Sequence, residues 1–196
     1  MHTGDMTESR SFLRRALRLL PILLVLCIVL PAGWAGGLQL VGNFHTVIPG
    51  EIYRSAQPSG AQLRVWTAEH GIRSVLNLRG ASDQPWYRAE IDSAQSLGLT
   101  HADFRMRASQ VLSPQRAQEL IALMQSLPKP LLIHCAQGAD RTGLAAALYL
   151  AARGDGEAQA EAQISFRYGH VSLPLSGAWP MNVSWEAMEG PLGFAS

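Results

Sequence analysis

Apolar and polar positions alternate along LTHADFRM. Leu99, Ala102, Phe104 and Met106 are apolar and His101, Asp103 and Arg105 polar, which predicts a β-strand. IRSVLNLRG (Ile72–Gly80) and the short Ile52-Tyr53-Arg54 read as further strands, the latter running into a turn at Pro58-Ser59-Gly60. LLIHC is apolar throughout, the signature of a central strand covered on both faces. Between these lie helical patterns. Ser59 caps one whose buried side carries Leu63 and Trp66, and His70-Gly71 ends it. Trp86–Gly98 is amphipathic, and Ser113-Pro114 opens a helix through Leu120, Ile121, Leu123 and Met124 that Pro128 and Pro130 break. TGLAAALYLAARG ends at Gly154, and a last helix is expected from Glu157 to about Arg167. The segment from Val171, with Pro174, Pro180 and Pro191, has no clear period. Strands alternating with helices predict an α/β fold with a mostly parallel central sheet.

The N-terminus breaks this rhythm. Arg10, Arg14, Arg15 and Arg18 precede the apolar run Leu19–Leu30, and no Asp, Glu, Lys or Arg occurs from Leu19 to Gly50. A cleaved signal peptide needs a basic start, a short apolar core and a small-residue exit, here Gly33-Trp34-Ala35. A membrane anchor needs roughly 20 mainly apolar residues, a length reached if the glycines are tolerated. The anchor is the favoured reading. It divides the chain into a basic cytoplasmic segment (1–18), a transmembrane helix (19–41), a soluble domain (43–170) and a tail (171–196). The arginines then stay in the cytoplasm, and the domain of this single-pass inner-membrane protein lies in the periplasm.

Composition narrows the partners. A net charge of +1 over 196 residues gives no field for nucleic acid, and none is expected as a partner. Cys27 sits in the apolar run, so Cys135 is the lone cysteine of the soluble part and no disulfide can form within it.

Cys135 lies in HCAQGADRTG (His134–Gly143), between the apolar strand and the alanine-rich helix. A helix N-terminus offers free N–H groups and the positive end of the helix dipole, where phosphate binds readily. The N–H groups of Ala136, Gln137, Gly138, Ala139, Asp140 and Arg141 can curl into a nest around one dianion. Gly138 lets the backbone turn, and Arg141 can grip two phosphate oxygens. Cys135 at the bottom is a candidate nucleophile, Thr142 can donate its hydroxyl to the sulfur, and His134 can hold the loop's shape. No cofactor or metal is expected.

HCAQGADRTG resembles the Cys-x5-Arg-Ser/Thr loop of the cysteine-dependent phosphatases, the tyrosine and dual-specificity-like superfamily. Within it, YRSAQP (Tyr53–Pro58) and NLRG (Asn77–Gly80) resemble two segments of the bacterial branch. The resemblance implies a four- or five-stranded sheet flanked by helices and hydrolysis through a phosphocysteine. Cys135 would be the nucleophile and Arg141 the phosphate-binding arginine. The superfamily's usual acid, an aspartate after the preceding strand, would fall near Ala108-Ser109, and neither can serve. Asp140 is the first candidate instead, by likeness to the myotubularin lipid phosphatases, and Asp103 the second. The alternative for Asp140 is a carboxylate that only orients Arg141 or caps the helix.

The loop has no lysine among Ala136, Gln137, Ala139 and Asp140, which favours a single monoester over a polyphosphate. With the expected anchor, this makes a membrane lipid phosphate such as phosphatidylglycerophosphate the first expectation. Phosphotyrosine or phosphoserine proteins are the alternative, and a non-catalytic phosphate-binding protein a third.

Overall fold

The computed structural model describes residues 29–194, together with 19, 21 and 25–27. Five strands form one sheet: β1 (His45–Ile48), β2 (Ile52–Ser55), β3 (Ser74–Asn77), β4 (Thr100–Asp103) and β5 (Leu131–His134). Their order is β1-β2-β5-β3-β4. β1 is antiparallel to β2, and every other pair is parallel. The helices are α1 (helical among the described residues at 19, 21, 25–27 and 29–40), α2 (Gly60–His70), α3 (Pro85–Ser96), α4 (Pro114–Ser126), α5 (Asp140–Arg153), α6 (Glu157–Glu161) and α7 (Pro180–Glu189). The expected mostly parallel sheet flanked by helices is present.

The local signals act as their chemistry requires. Ser59 and Gln62 close a reciprocal capping box on α2, and Ser113 caps α4 ahead of Pro114. β5 is wholly buried because both its faces are covered. Leu131 and Ile133 join the large cluster with α4, α5 and α7, while Leu132 turns to Tyr53, Leu63, Trp66 and Val75 on the other face. α5 is buried without a break from Thr142 to Ala151, so its apolar composition has no polar face to interrupt it.

Register places the site. Ser55 and Asn77 both pair with His134, and Asn77 pairs with Asp103. Four parallel strands therefore end level, and the loops after them gather at one end of the sheet, where open α/β sheets bind ligands.

Four expectations change. Among the described residues no helix is long and apolar enough to cross a membrane. Part of the expected 19–41 anchor, and all of 1–18, lies outside the described residues. The strand expected over Leu99–Met106 is confined to Thr100–Asp103, although Phe104 N–H and Met106 N–H still bond to the carbonyls of Asn77 and Leu78. The helix expected from Glu157 to Arg167 stops at Glu161, where the N–H groups of Gln163 and Ile164 bond three residues back, to Ala160 O (3.0 Å) and Glu161 O (2.8 Å). Finally, the segment after Val171 holds α7, whose Met181, Trp185 and Met188 enter the core.

Candidate active site

The turn from β5 into α5 is held from outside, carbonyl by carbonyl. Ala136 O accepts from Gln57 N–H (3.2 Å). Gln137 O accepts from Asn43 Nδ2 (2.8 Å) and Gln39 Nε2 (3.1 Å). Gly138 O and Ala139 O both accept from Arg54 Nη2, at 2.9 and 3.2 Å. With four successive carbonyls drawn outward, the loop N–H groups turn inward, which is the geometry of an anion nest. Gly138 N–H points at Cys135 Sγ (3.3 Å). Gly138 has φ +71°, and a Cβ there would lie 2.6 Å from the backbone at Ser55-Ala56, so no other residue fits without displacing β2's end.

Arg54 is fully buried. Its Nη1 donates to Gln163 O and Oε1 (2.8 and 3.0 Å), and its guanidinium lies 3.8 Å from the Tyr168 ring centroid. Burial pulls its pKa down to about 10, which leaves it charged at neutral pH. No carboxylate pairs with it among the described residues. Its charge therefore stands behind the loop, where it attracts an anion into the nest.

In the first turn of α5, Arg141 Nη1 reaches Met106 O at 3.4 Å, and its buried Nε has no partner. Thr142 Oγ1 is likewise buried and unpaired, so the expected Thr142–Cys135 hydrogen bond is not formed. Buried donors without partners are costly, and a bound oxyanion would satisfy them.

His134 is oriented by a partner the sequence did not reveal. Its Nε2–H donates to Glu90 Oε1 (3.0 Å), which also accepts from His101 Nε2 (2.7 Å). Glu90 Oε2 accepts from Gln57 Nε2, and Gln57 Oε1 accepts from Arg79 Nη1 (2.7 Å). Arg79 lies flat on Trp86, 3.4 Å from its ring centroid. One buried carboxylate thus ties α3 to β4, β5 and the loop after β2. Burial works to raise the Glu90 pKa, but hydrogen bonds from His101, His134 and Gln57 hold it down at about 2.

The two candidate acids sit in different settings. Asp103 is tied up by Asn77 Nδ2 (2.8 Å) and the Tyr87 hydroxyl (2.5 Å), at the outer edge of the sheet. Asp140 Oδ1 meets Nδ1 of His170 (2.8 Å), a wholly buried ring whose Nε2 faces Asn182 Oδ1 (2.8 Å). Asn182 Nδ2 reaches Ser172 Oγ (3.3 Å), which turns its carbonyl oxygen to the ring. His170 Nε2–H then donates to Asn182, and its Nδ1 faces the Asp140 carboxyl.

The loop opens into a cavity of about 500 Å³. Ala136 and Arg141 lie at its base, and Ala108 and Ser109 line it where an acid was sought. Arg79, Arg105 and Arg107 complete the mouth, and no carboxylate lines it. The loop itself supplies no cation but Arg141. The cations come instead from the turns after β3 and β4. Glu90, Asn43, His170 and Asn182 carried no sequence signal of their own. Arg54 did belong to a recognised segment, but nothing in that segment stated its task.

The family model described as "Tyrosine phosphatase family" matches residues 35–162. No protein of curated function matches the sequence. Among solved structures, P. aeruginosa TpbA in complex with pTyr aligns at 18% identity and a TM-score of 0.61, covering 78% of this chain and 88% of that one. The core catalytic domain of the PP-IP phosphatase SIW14 from S. cerevisiae, in complex with citrate, aligns at 20% identity and a TM-score of 0.60, covering 76% and 88%. At these identities the likeness is one of fold.

The Glu90 network predicts a pH signature. A folded-state pKa of about 2, below the ordinary 4.5, means that Glu90 stabilises the fold above pH 4.5. That contribution is lost as pH falls through 4.5 toward 2. Glu90→Gln should cost about 3 kcal/mol near neutral pH and flatten the acid limb of stability. Urea unfolding from pH 7 to 2.5 measures this; parallel curves for variant and wild type would show that Glu90 is not held in its charged form.

Proposed function

The chain belongs to the tyrosine phosphatase family, and we propose that it hydrolyses a phosphate monoester through a phosphocysteine on Cys135, with Asp140 as general acid and base. The enzyme class follows from the family. The residue roles rest on one observation above all: four outward-held carbonyls around Cys135, with unpaired donors on Arg141 and Thr142.

In this reading the Cys135 thiolate attacks phosphorus, and the P–O bond to the leaving alcohol breaks. The inward N–H groups and Arg141 hold the three non-bridging oxygens as charge shifts in the transition state. Asp140 delivers a proton to the leaving oxygen. Water, losing a proton to Asp140, then attacks the phosphocysteine, and the P–S bond breaks as the sulfur departs beside Gly138 N–H. Phosphate leaves with Cys135 regenerated as thiolate.

The substrate we favour is a lipid phosphate such as phosphatidylglycerophosphate. Arg79, Arg105 and Arg107 surround the mouth in excess of what one monoester needs, and they support a substrate with a second anionic group beside the scissile phosphate. A phosphodiester in the same headgroup meets that description. The loop's lack of lysine therefore does not limit the site to an isolated monoester. A panel of phosphatidylglycerophosphate, phosphotyrosine peptides and p-nitrophenyl phosphate discriminates this from the phosphoprotein alternative.

Two variants test the roles. Cys135→Ser should bind substrate yet reduce turnover to background, because a serine hydroxyl is not ionised at neutral pH. Substantial remaining turnover would remove Cys135 from the mechanism. Asp140→Asn keeps an acceptor for His170 but has no proton to give. It should slow alkyl phosphates about 10²- to 10⁴-fold and p-nitrophenyl phosphate, with its good leaving group, far less. Equal slowing of both would reduce Asp140 to a scaffold for Arg141.

A further inference from the structure

Between His170, which holds Asp140, and Gly177, which lines the cavity, the chain makes a small projecting loop. It is closed on itself. Leu173 N–H bonds to Val171 O (2.9 Å), Ser176 N–H to Leu173 O (2.8 Å) and Ser176 Oγ to Val171 O (2.9 Å). Its tip is apolar and uncovered: Val171 is 43% exposed, Leu173 60% and Leu175 101%. No Asp, Glu, Lys or Arg occurs from His170 to Trp185. The same mouth carries Arg79, Arg105 and Arg107.

We propose that this loop inserts into the surface of an anionic bilayer, with the arginines of the mouth against the lipid headgroups, so that a lipid phosphate reaches Cys135 from the membrane. The inference rests on the lipid-phosphate reading above. It is independent of any N-terminal anchor. Apolar side chains presented beside basic ones are the chemistry of an interfacial site: the leucines partition among acyl chains, and the cations meet negative headgroups. A bilayer suits the tip better than a protein does. A stable protein interface takes about 800 Å² from each partner, and a tip of two leucines and a valine supplies only a fraction of it. A bilayer has no such threshold, since each inserted side chain partitions by its own area. The hydrogen-bonded closure keeps the tip projecting, so little ordering is needed on contact.

The test uses the full chain and the double variant Leu173→Ser, Leu175→Ser. Four readouts are compared: turnover of phosphatidylglycerophosphate in phosphatidylglycerol-containing vesicles, turnover of a tyrosine-phosphorylated protein in solution, turnover of p-nitrophenyl phosphate in solution, and flotation with substrate-free anionic vesicles. The variant should lose about tenfold or more on vesicle substrate and in flotation, and stay within about twofold on p-nitrophenyl phosphate. Flotation of the wild type should weaken as salt rises or as neutral lipid replaces anionic. Equal losses on vesicle substrate and p-nitrophenyl phosphate would mean that the loop only positions His170, and would overturn the proposal. Unchanged flotation and vesicle turnover would overturn it too. A loss confined to phosphoprotein substrates would assign the loop to a protein partner instead. If neither form turns over any substrate, the phosphatase reading has failed, while the flotation arm still decides the membrane contact.

Discussion

The buried guanidinium of Arg54 is the constraint on which the site depends. It reaches from the end of β2 to the carbonyls of Gly138 and Ala139 and, on its other side, to Gln163 beyond α5. Holding those carbonyls outward leaves the loop's N–H groups no direction but inward. Each carbonyl left unmet in this interior would cost about 1–3 kcal/mol. Arg54 therefore sets the loop's shape and adds a positive charge behind it. The same contact sets Gln163 O against α5, where Gly143 leaves room for it: a Cβ there would lie 2.8 Å from that oxygen.

Around this brace, two buried polar clusters fix the flanks. Glu90 gathers His134, His101 and Gln57, and through Gln57 it positions Arg79 at the mouth. His170 joins Asp140 to Asn182 of α7, so the C-terminal segment takes part in the loop's chemistry. Met181, Trp185 and Met188 anchor α7 in the core, and this anchorage holds Asn182 against the ring. The segment between them, tethered at both ends to the site, is free to project its leucines.

What the sequence disclosed and what it hid divide along chain separation. Cys135, Gly138, Arg141 and the strand–loop–helix order are local, and their meaning survives without tertiary structure. The central place of β5 was legible too, from its apolar run. Arg54 and Gln163 lie 109 positions apart, and Asn43 reaches Gln137 across 94. No periodicity links such pairs. α7 was hidden differently: Met181, Trp185 and Met188 follow helical spacing, but Pro174, Gly177 and Pro180 just before them read as loop. The mouth's charge was missed because Arg105 belongs to a strand pattern and Arg107 follows it, and only the fold sets them in one cavity with Arg141.

The account stands on a covalent phosphoryl–sulfur bond at the base of this loop. Acid quenching the enzyme during turnover of a labelled monoester, followed by peptide mass spectrometry, tests that directly. The account predicts a phosphoryl group on the peptide containing Cys135, absent from Cys135→Ser and enriched in Asp140→Asn, where the second step lacks its base. Label found on His134 or Asp140 would contradict it, as would product formation under quench conditions that preserve thiophosphates with no label on Cys135.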